Sequence, residues 1–357
     1  MNVRRSRLVL VASVAALTTL SLAGPALAGD DDFNIQEAVD DADPGDTIHI
    51  PSGTYAQNVT ITTDGISLHG DGDVVLTPPD DPKPTDCDDG NKARVSGICI
   101  YGDVTFPTTE DGEVVVNDAV EDVSISGITV EGFTGDGVIG LGTENLSVRH
   151  SAFKDNHGYG AASFVTHGTT FEDNSAVGNE EAGFYIGDSP DAEAAVHGNY
   201  SADNELGLFF RHASNGEASH NVAEENCIGI LILADAPGPA KDWTVHDNEV
   251  DANNRVCPAR PEEMIPPLSG AGIVVSGAQE IEVRDNSVRD NASTEASAFE
   301  GGIVALVGIG GTVPSDITVT DNEAFDNEPL DIDVDAAENV DADGNDCGTS
   351  EPADICD

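Results

Sequence analysis

Between about Val123 and Asn339 the chain alternates short apolar runs with single polar residues, and this alternation returns in units. The segments Phe171–Gly187, Val196–Phe210 and Ala218–Ile232 can be written beneath one another, and the same order restarts at Val245, Val283 and Val319. The first Asn of each unit is Asn174, Asn199, Asn221, Asn248, Asn286 and Asn322. The steps are therefore 25, 22, 27, 38 and 36 residues, the last two lengthened by insertions. Period-two alternation in runs rich in Val, Ile and Thr predicts strands, and nothing in the units has helical spacing. A period in the low twenties predicts stacked repeats. The Leu frame of leucine-rich repeats is missing, so each unit is expected to be one turn of a parallel β-helix. The repeating Asn suits a corner in the left-handed conformation, and stacked Asn side chains can also bond to one another in a ladder.

Aligning the Gly of each unit (137, 160, 183, 207, 229, 272, 302) gives columns. One residue later come Val138, Ala161, Phe184, Leu208, Ile230, Ile273 and Ile303, expected to point inward. Two residues later come Ile139, Ala162, Tyr185, Phe209, Leu231, Val274 and Val304, expected outward. Tyr185 and Phe209 would then form an exposed aromatic platform on adjacent coils.

The ends read differently. Arg4, Arg5 and Arg7, an apolar run from Leu8 to Leu22, and Ala26-Leu27-Ala28 predict a secretory signal over residues 1–28. The mature chain, 29–357, is expected to be one domain. Ile35, Ala38, Val39 and Ala42 lie at helical spacing behind Asn34 as N-cap, predicting a helical cap over 33–43 that covers the open end of the first coil. Coils are expected over 45–339 and a disulfide-closed C-terminal cap over 340–357. Segments 78–97 (with Asp86, Asp88 and Asp89), 103–119, 258–268 and 292–298 read as loops thrown out from the coils.

Ile35-Gln-x-Ala-Val-x-x-Ala, Pro44-Gly-Asp-Thr-Ile, Pro51-x-Gly-Thr-Tyr55 and Ile66-x-Leu-x-Gly70 resemble the N-terminal signature of the pectate-lyase-like superfamily. With the Asn-bearing repeats the resemblance spans nearly the whole mature chain. It is nearest to bacterial secreted right-handed parallel β-helix repeat proteins, a group that includes NosD-like carbohydrate-binding and sugar-hydrolase domains. The resemblance implies an all-β, right-handed parallel β-helix, a single-stranded solenoid with a short N-terminal capping helix. It implies chemistry only weakly, since function lives in the site. The chain lacks the Asn-Thr-Asp, Asp-Asp, His-Gly and Arg-Ile-Lys set of polygalacturonases and the Asp-Pro-His-Glu signature of alginate epimerases.

Charge narrows the partners. A net charge of −53 becomes about −56 once Arg4, Arg5 and Arg7 leave, which argues against nucleic acid or an anionic membrane surface. No stretch after the signal is long and apolar enough for a membrane span. Six Cys in an exported chain predict disulfides, by proximity Cys87–Cys99, Cys347–Cys356 and the remaining Cys227–Cys257. A secreted, extracellular monomer is expected.

The strongest polar constellation lies beside the aromatic pair: Asp188, Arg211 and His212, with Asp235 and His167 nearby. Aromatic faces stack on sugars, and Arg or His beside carboxylates can bind a sugar or move a proton. Arg211, His212 and Asp188 are therefore the catalytic candidates, and Tyr185, Phe209, Asp235 and His167 the substrate-binding ones. The partner would be a polysaccharide or cell-surface glycan. The bland alternative is an insertion-covered apolar patch with a salt bridge between coils. A second basic group is Arg149, His150, Lys154, His157 and Tyr159. By the resemblance, Lys154 or Arg149 could serve as a lyase base, against solvated corner residues as the plain reading. His197 and His246 share a column with Arg149, Glu172, Ser219 and Arg284, a mixture that suggests exposure rather than a metal pair. No metal site is assigned. Calcium has one local candidate, Asn339-Val-Asp341-Ala-Asp343-Gly344, the first half of an EF-type loop, against a disulfide-capped Asp-rich turn.

Overall fold

The structure, a computed structural model, describes residues 33–88, 93–106, 114–235, 238–261 and 264–357; the expected signal segment and Asp89 lie outside them. Among the described residues the strands join in a 19-stranded and an 11-stranded sheet plus two strand pairs, and the long ladders are parallel throughout. The alternation thus closes into coils. The 11-stranded sheet makes one face, and the 19-stranded sheet wraps round a corner to make the other two. The pairing register reproduces the Gly-based alignment: Ala161 sits on Phe184, Phe184 on Leu208, Leu208 on Ile230 and Ile230 on Ile273. These residues are buried in one core that runs the length of the molecule.

The glycine column is a matter of close approach. A Cβ on Gly207 would lie 2.3 Å from the Gly229 carbonyl oxygen of the next coil. Gly207→Ala is expected to destabilise the fold by about 2 kcal/mol, because backbone rather than a flexible side chain must yield. Thermal denaturation checks this.

The Asn positions form ladders, two of them. One runs Asn174, Asn199, Asn221, Asn248, Asn286, Asn322 and Asn345, and the other Asn156, Asn179, Asn204, Asn226, Asn253, Asn291 and Asn327. The first Oδ1 of each ladder accepts from the backbone N–H of Ser151 (Asn174) or Phe133 (Asn156), and each later Oδ1 accepts from the backbone N–H and Nδ2 of the Asn one coil below; Asn221 Oδ1 takes both from Asn199, at 2.9 and 3.0 Å. The left-handed corner belongs to the residue just before each Asn, such as Asp173, His220, Asp247 and Asp285. The sequence reading placed that strain on the Asn itself. The Asn is instead committed to the buried ladder, and the exposed Asp before it tolerates positive φ.

Asn34 caps a helix over Ile35–Asp40, accepting from Glu37 N–H at 3.1 Å. Ile35 and Val39 bury on the first coil. Gln36 donates to Thr60 O and accepts from Thr60 N–H, which satisfies the edge of the first strand of the 11-stranded sheet. At the other end Glu338–Asp343, Asp346–Cys347 and Ser350–Glu351 pair in register with the preceding coil, so stacking continues into the segment read as the cap. The calcium candidate lies in this Glu338–Asp343 strand, with Asp341 and Asp343 exposed along it. Extended backbone does not wrap an ion, so neither the ion loop nor the Asp-rich turn describes it. All three expected disulfides are present.

Candidate functional site

The second residue after each Gly does point out of the coil, but the exposed platform is corrected. Tyr185 is only 1% exposed, and Ile139, Ala162, Leu231 and Val274 are buried with it. Two loops lie over this face. The first, tied by Cys87–Cys99, packs with Ile139, Ala162 and Tyr185. The second, tied by Cys227–Cys257, covers Leu231 and Val274 with Leu268 and Ile265. Tyr185 stacks on Tyr159 at 4.5 Å and also meets Phe164 and Phe209. Phe209 and Phe164 remain half-buried.

Loop arginines hold the covers down. Arg94 reaches Asp136 at 2.9 Å and Glu181 at 3.3 Å, and Asp136 also accepts from Tyr159 N–H. Asp136 is almost fully buried. Burial pushes its carboxyl up, with Arg94 opposing. Glu181 is raised in the same way. Arg260 grips the buried Glu205 through both guanidinium ends. The sequence reading missed these pairs. The available signal was an acid at or just before the Gly column together with a lone Arg inside a loop.

Next to this covered face lies the polar constellation, on adjacent strand ends. Arg211 donates through Nε and Nη2 to the two Asp235 oxygens, both at 3.0 Å. His212 Nδ1 lies 3.2 Å from Asp188 Oδ1, and its Nε2 stands 2.5 Å from Asp235 Oδ1 outside hydrogen-bond alignment. The structure thus brings Asp188, Arg211, His212 and Asp235 together, with Tyr185 and Phe209 in ring contact beside them. His167 is separate: it shares with Asp188 a shallow concavity of about 350 Å³, and its Nδ1 meets the Asp191 carbonyl at 2.9 Å.

Burial works against a charge on His212, but Asp188 and Asp235 outweigh it and push its pKa up to about 9. Burial would raise Asp235, but His212 and Arg211 hold it well below the usual carboxylate range. Burial, with Asp188, raises the Tyr185 hydroxyl. His212 is therefore a cation at neutral pH with both nitrogens facing carboxylates. A group raised above its unfolded value stabilises fully below about 6.5, and that contribution is lost as pH rises through about 9. A His212→Gln variant is expected to melt below the parent at pH 6 and to converge on it by pH 10, as melting curves across that range would show.

The second basic group is not brought together. Arg149 pairs with Glu172 and His150 faces Asp173 at 3.7 Å, both on the 19-stranded sheet, where Lys154 is exposed. His157 faces Glu180 at 3.9 Å, and Tyr159 belongs to the covered aromatic cluster on the other sheet. His197 and His246 flank His220 in a row, the first pair tilted and the second edge to face, with ring centroids 4.9 and 6.2 Å apart.

The family described as "Right handed beta helix region" matches residues 86–250 and 136–313, together more than half of the chain. The chain belongs to this family. The pectate-lyase-like right-handed β-helix implied by its N-terminal motifs is therefore its fold. Similar solved structures include the A-module of the mannuronan C-5 epimerase AlgE4 of Azotobacter vinelandii, 18% identical, covering 89% of this chain and 91% of the other at a TM-score of 0.57. The family 28 exopolygalacturonase of Yersinia enterocolitica is 14% identical, with coverages of 90% and 74% and a TM-score of 0.53. A single-substitution mutant of the periplasmic alginate epimerase AlgG is 13% identical, with coverages of 88% and 83% and a TM-score of 0.52. At such identities the likeness is one of fold. Among curated proteins none matches the sequence.

Proposed function

We propose that this is an exported polysaccharide-binding β-helix protein whose contact surface is the part of the 11-stranded face around Phe209 and Arg211. The observation that carries the reading is the adjacency of a half-buried aromatic ring to a clustered cation–carboxylate set: Arg211, Asp235, His212 and Asp188. Phe209 offers a face to a sugar ring, Arg211 donates to hydroxyl or carboxylate oxygens, and Asp188 and Asp235 accept from sugar hydroxyls. Tyr185 supports Phe209 from beneath, and His167 extends the surface past Asp188. Among the structural neighbours are a mannuronan C-5 epimerase and an exopolygalacturonase, which favours a glycan over other ligands. Three disulfides fit an oxidising compartment outside the cytosol, and no helix among the described residues is long and apolar enough to cross a membrane.

The chemistry that this set offers on a bound chain is lyase- or hydrolase-like. In the lyase case Asp188, the most exposed carboxylate of the set, takes the C5 proton of a uronate, and Arg211 stabilises the negative charge that develops. The electron pair forms a C4–C5 double bond as the C4–O bond breaks, the leaving oxygen taking a proton from protonated His212. The rival reading, a non-catalytic surface solenoid, is favoured by the two loops that cover most of the same face. A glycan array probed with the mature chain, with and without calcium, separates the two. Retention of at least one acidic or neutral polysaccharide is expected, and silence across the array leaves a scaffold.

A further inference from the structure

Far from that face, the first two coils place two histidines one above the other. His49, in the strand Thr47–Ala56, is the register partner of His69 in Ser67–Thr77. Partners in a parallel ladder share a face with strands about 4.8 Å apart, which brings their imidazoles together edge to face; the ring centroids are 5.5 Å apart. Asp71 lies two residues beyond His69, hence on the same side, and its backbone carbonyl is pinned by the Ser52 hydroxyl at 2.8 Å. Its Oδ1 stands 3.2 Å from His49 Nδ1 and 3.7 Å from His69 Nε2.

We propose that His49, His69 and Asp71 form a binding site for a divalent transition-metal cation of the zinc class. All three donor atoms lie within 4.8 Å of one another. Ligands held about 2.0–2.1 Å from a tetrahedral ion are roughly 3.3 Å apart, so the Asp71–His49 separation already matches and the exposed His69 side chain needs a small rotation. An outer-shell group is in place as well: His69 Nδ1 contacts Ser126 Oγ at 2.9 Å, on the next strand of the ladder, which turns Nε2 toward Asp71. Two imidazoles and one carboxylate suit zinc-like ions. A hard cation such as calcium, which collects six to eight oxygens, is not served by this set. The strongly negative chain concentrates cations near its surface. A bound ion would join the first coil to the second beside the helical cap.

Among the described residues the other comparable group is His167, Asp191 and Glu193, which offers one imidazole and two carboxylates where the first group offers two imidazoles, a poorer match to a zinc-like ion. It serves as the comparator. Untagged, chelator-stripped protein would be titrated with Zn²⁺ by calorimetry beside His49→Ala, His69→Ala and His167→Ala variants. All three residues are surface groups, and melting curves without metal would verify that each variant folds. One zinc per chain is expected, at least tenfold weaker in His49→Ala and in His69→Ala, within twofold of the parent in His167→Ala, and not displaced by excess Ca²⁺. The proposal is overturned by no zinc uptake in the parent, by less than threefold weakening in both His49→Ala and His69→Ala, or by an equal or greater loss in His167→Ala.

Discussion

Asn221→Ala is expected to lower the stability of the protein by about 3–5 kcal/mol. Asn221 Oδ1 accepts from the backbone N–H and Nδ2 of Asn199, while its own Nδ2 donates to Val196 O at 2.9 Å and Asn248 Oδ1 at 3.0 Å. Every one of these groups is buried. Alanine therefore leaves two donors on Asn199 and a carbonyl at Val196 without their partners, and each orphaned group costs about 1–3 kcal/mol. In a solenoid each coil leans only on its neighbours, so the damage falls between the coils of Asn199 and Asn248. A drop of roughly 5–10 °C in melting temperature is expected for a chain of this length. A shift below about 1 °C would show that the ladder records the coil geometry without stabilising it.

Arg94→Ala is expected to cost about 2–4 kcal/mol and to loosen the Cys87–Cys99 loop over Tyr185. The reason is the fate of Asp136. With Arg94 gone it keeps the Tyr159 N–H and a distant Ser96 hydroxyl at 3.5 Å, too little for a buried carboxylate. Removing one partner of a buried pair costs about 3–5 kcal/mol; the figure is reduced here because Arg94 is about one-third exposed. Asp136 and Glu181 are already raised above their unfolded values, and loss of Arg94 raises them further. Groups raised in this way prefer the fold when protonated, so the deficit is greatest above their folded values and shrinks as pH falls through them. Hydrogen exchange should show faster exchange at Ile98–Tyr101 and Ala161–Phe164, with the C-terminal coils unchanged. Unchanged protection would mean that the disulfide alone holds the loop.

The architecture was legible because the repeat is written in residues with one job each. The Gly column marks where backbones meet, the alternating residues after it mark inside and outside, and the Asn columns mark the buried corners. What escaped reading from sequence depends on pairs far apart in the chain. Arg94 and Asp136 are 42 residues apart, Arg260 and Glu205 55. An acid just before the Gly column and an Arg inside a loop are visible one by one, but nothing local says which acid meets which Arg, and that pairing folds the loops down and turns the outward Tyr185 into a buried one. The constellation of Asp188, Arg211, His212 and Asp235 was legible as positions on adjacent coils, since register carries neighbours into contact. Its protonation was not, because that depends on burial. His49 and His69 escaped because they lie in early coils, before the Asn-marked grammar begins, where only the shared Ile-x-Ile and Leu-x-Gly flanks disclose the register.

The decisive measurement compares the parent chain with an Arg211→Ala/His212→Ala double variant for binding to whichever polysaccharide the array retains, after melting curves confirm that the variant folds. At least a tenfold loss of affinity is expected if the surface around Phe209 and Arg211 holds the glycan. Binding equal to that of the parent would place the glycan elsewhere on the solenoid and leave this cluster as a salt bridge between coils.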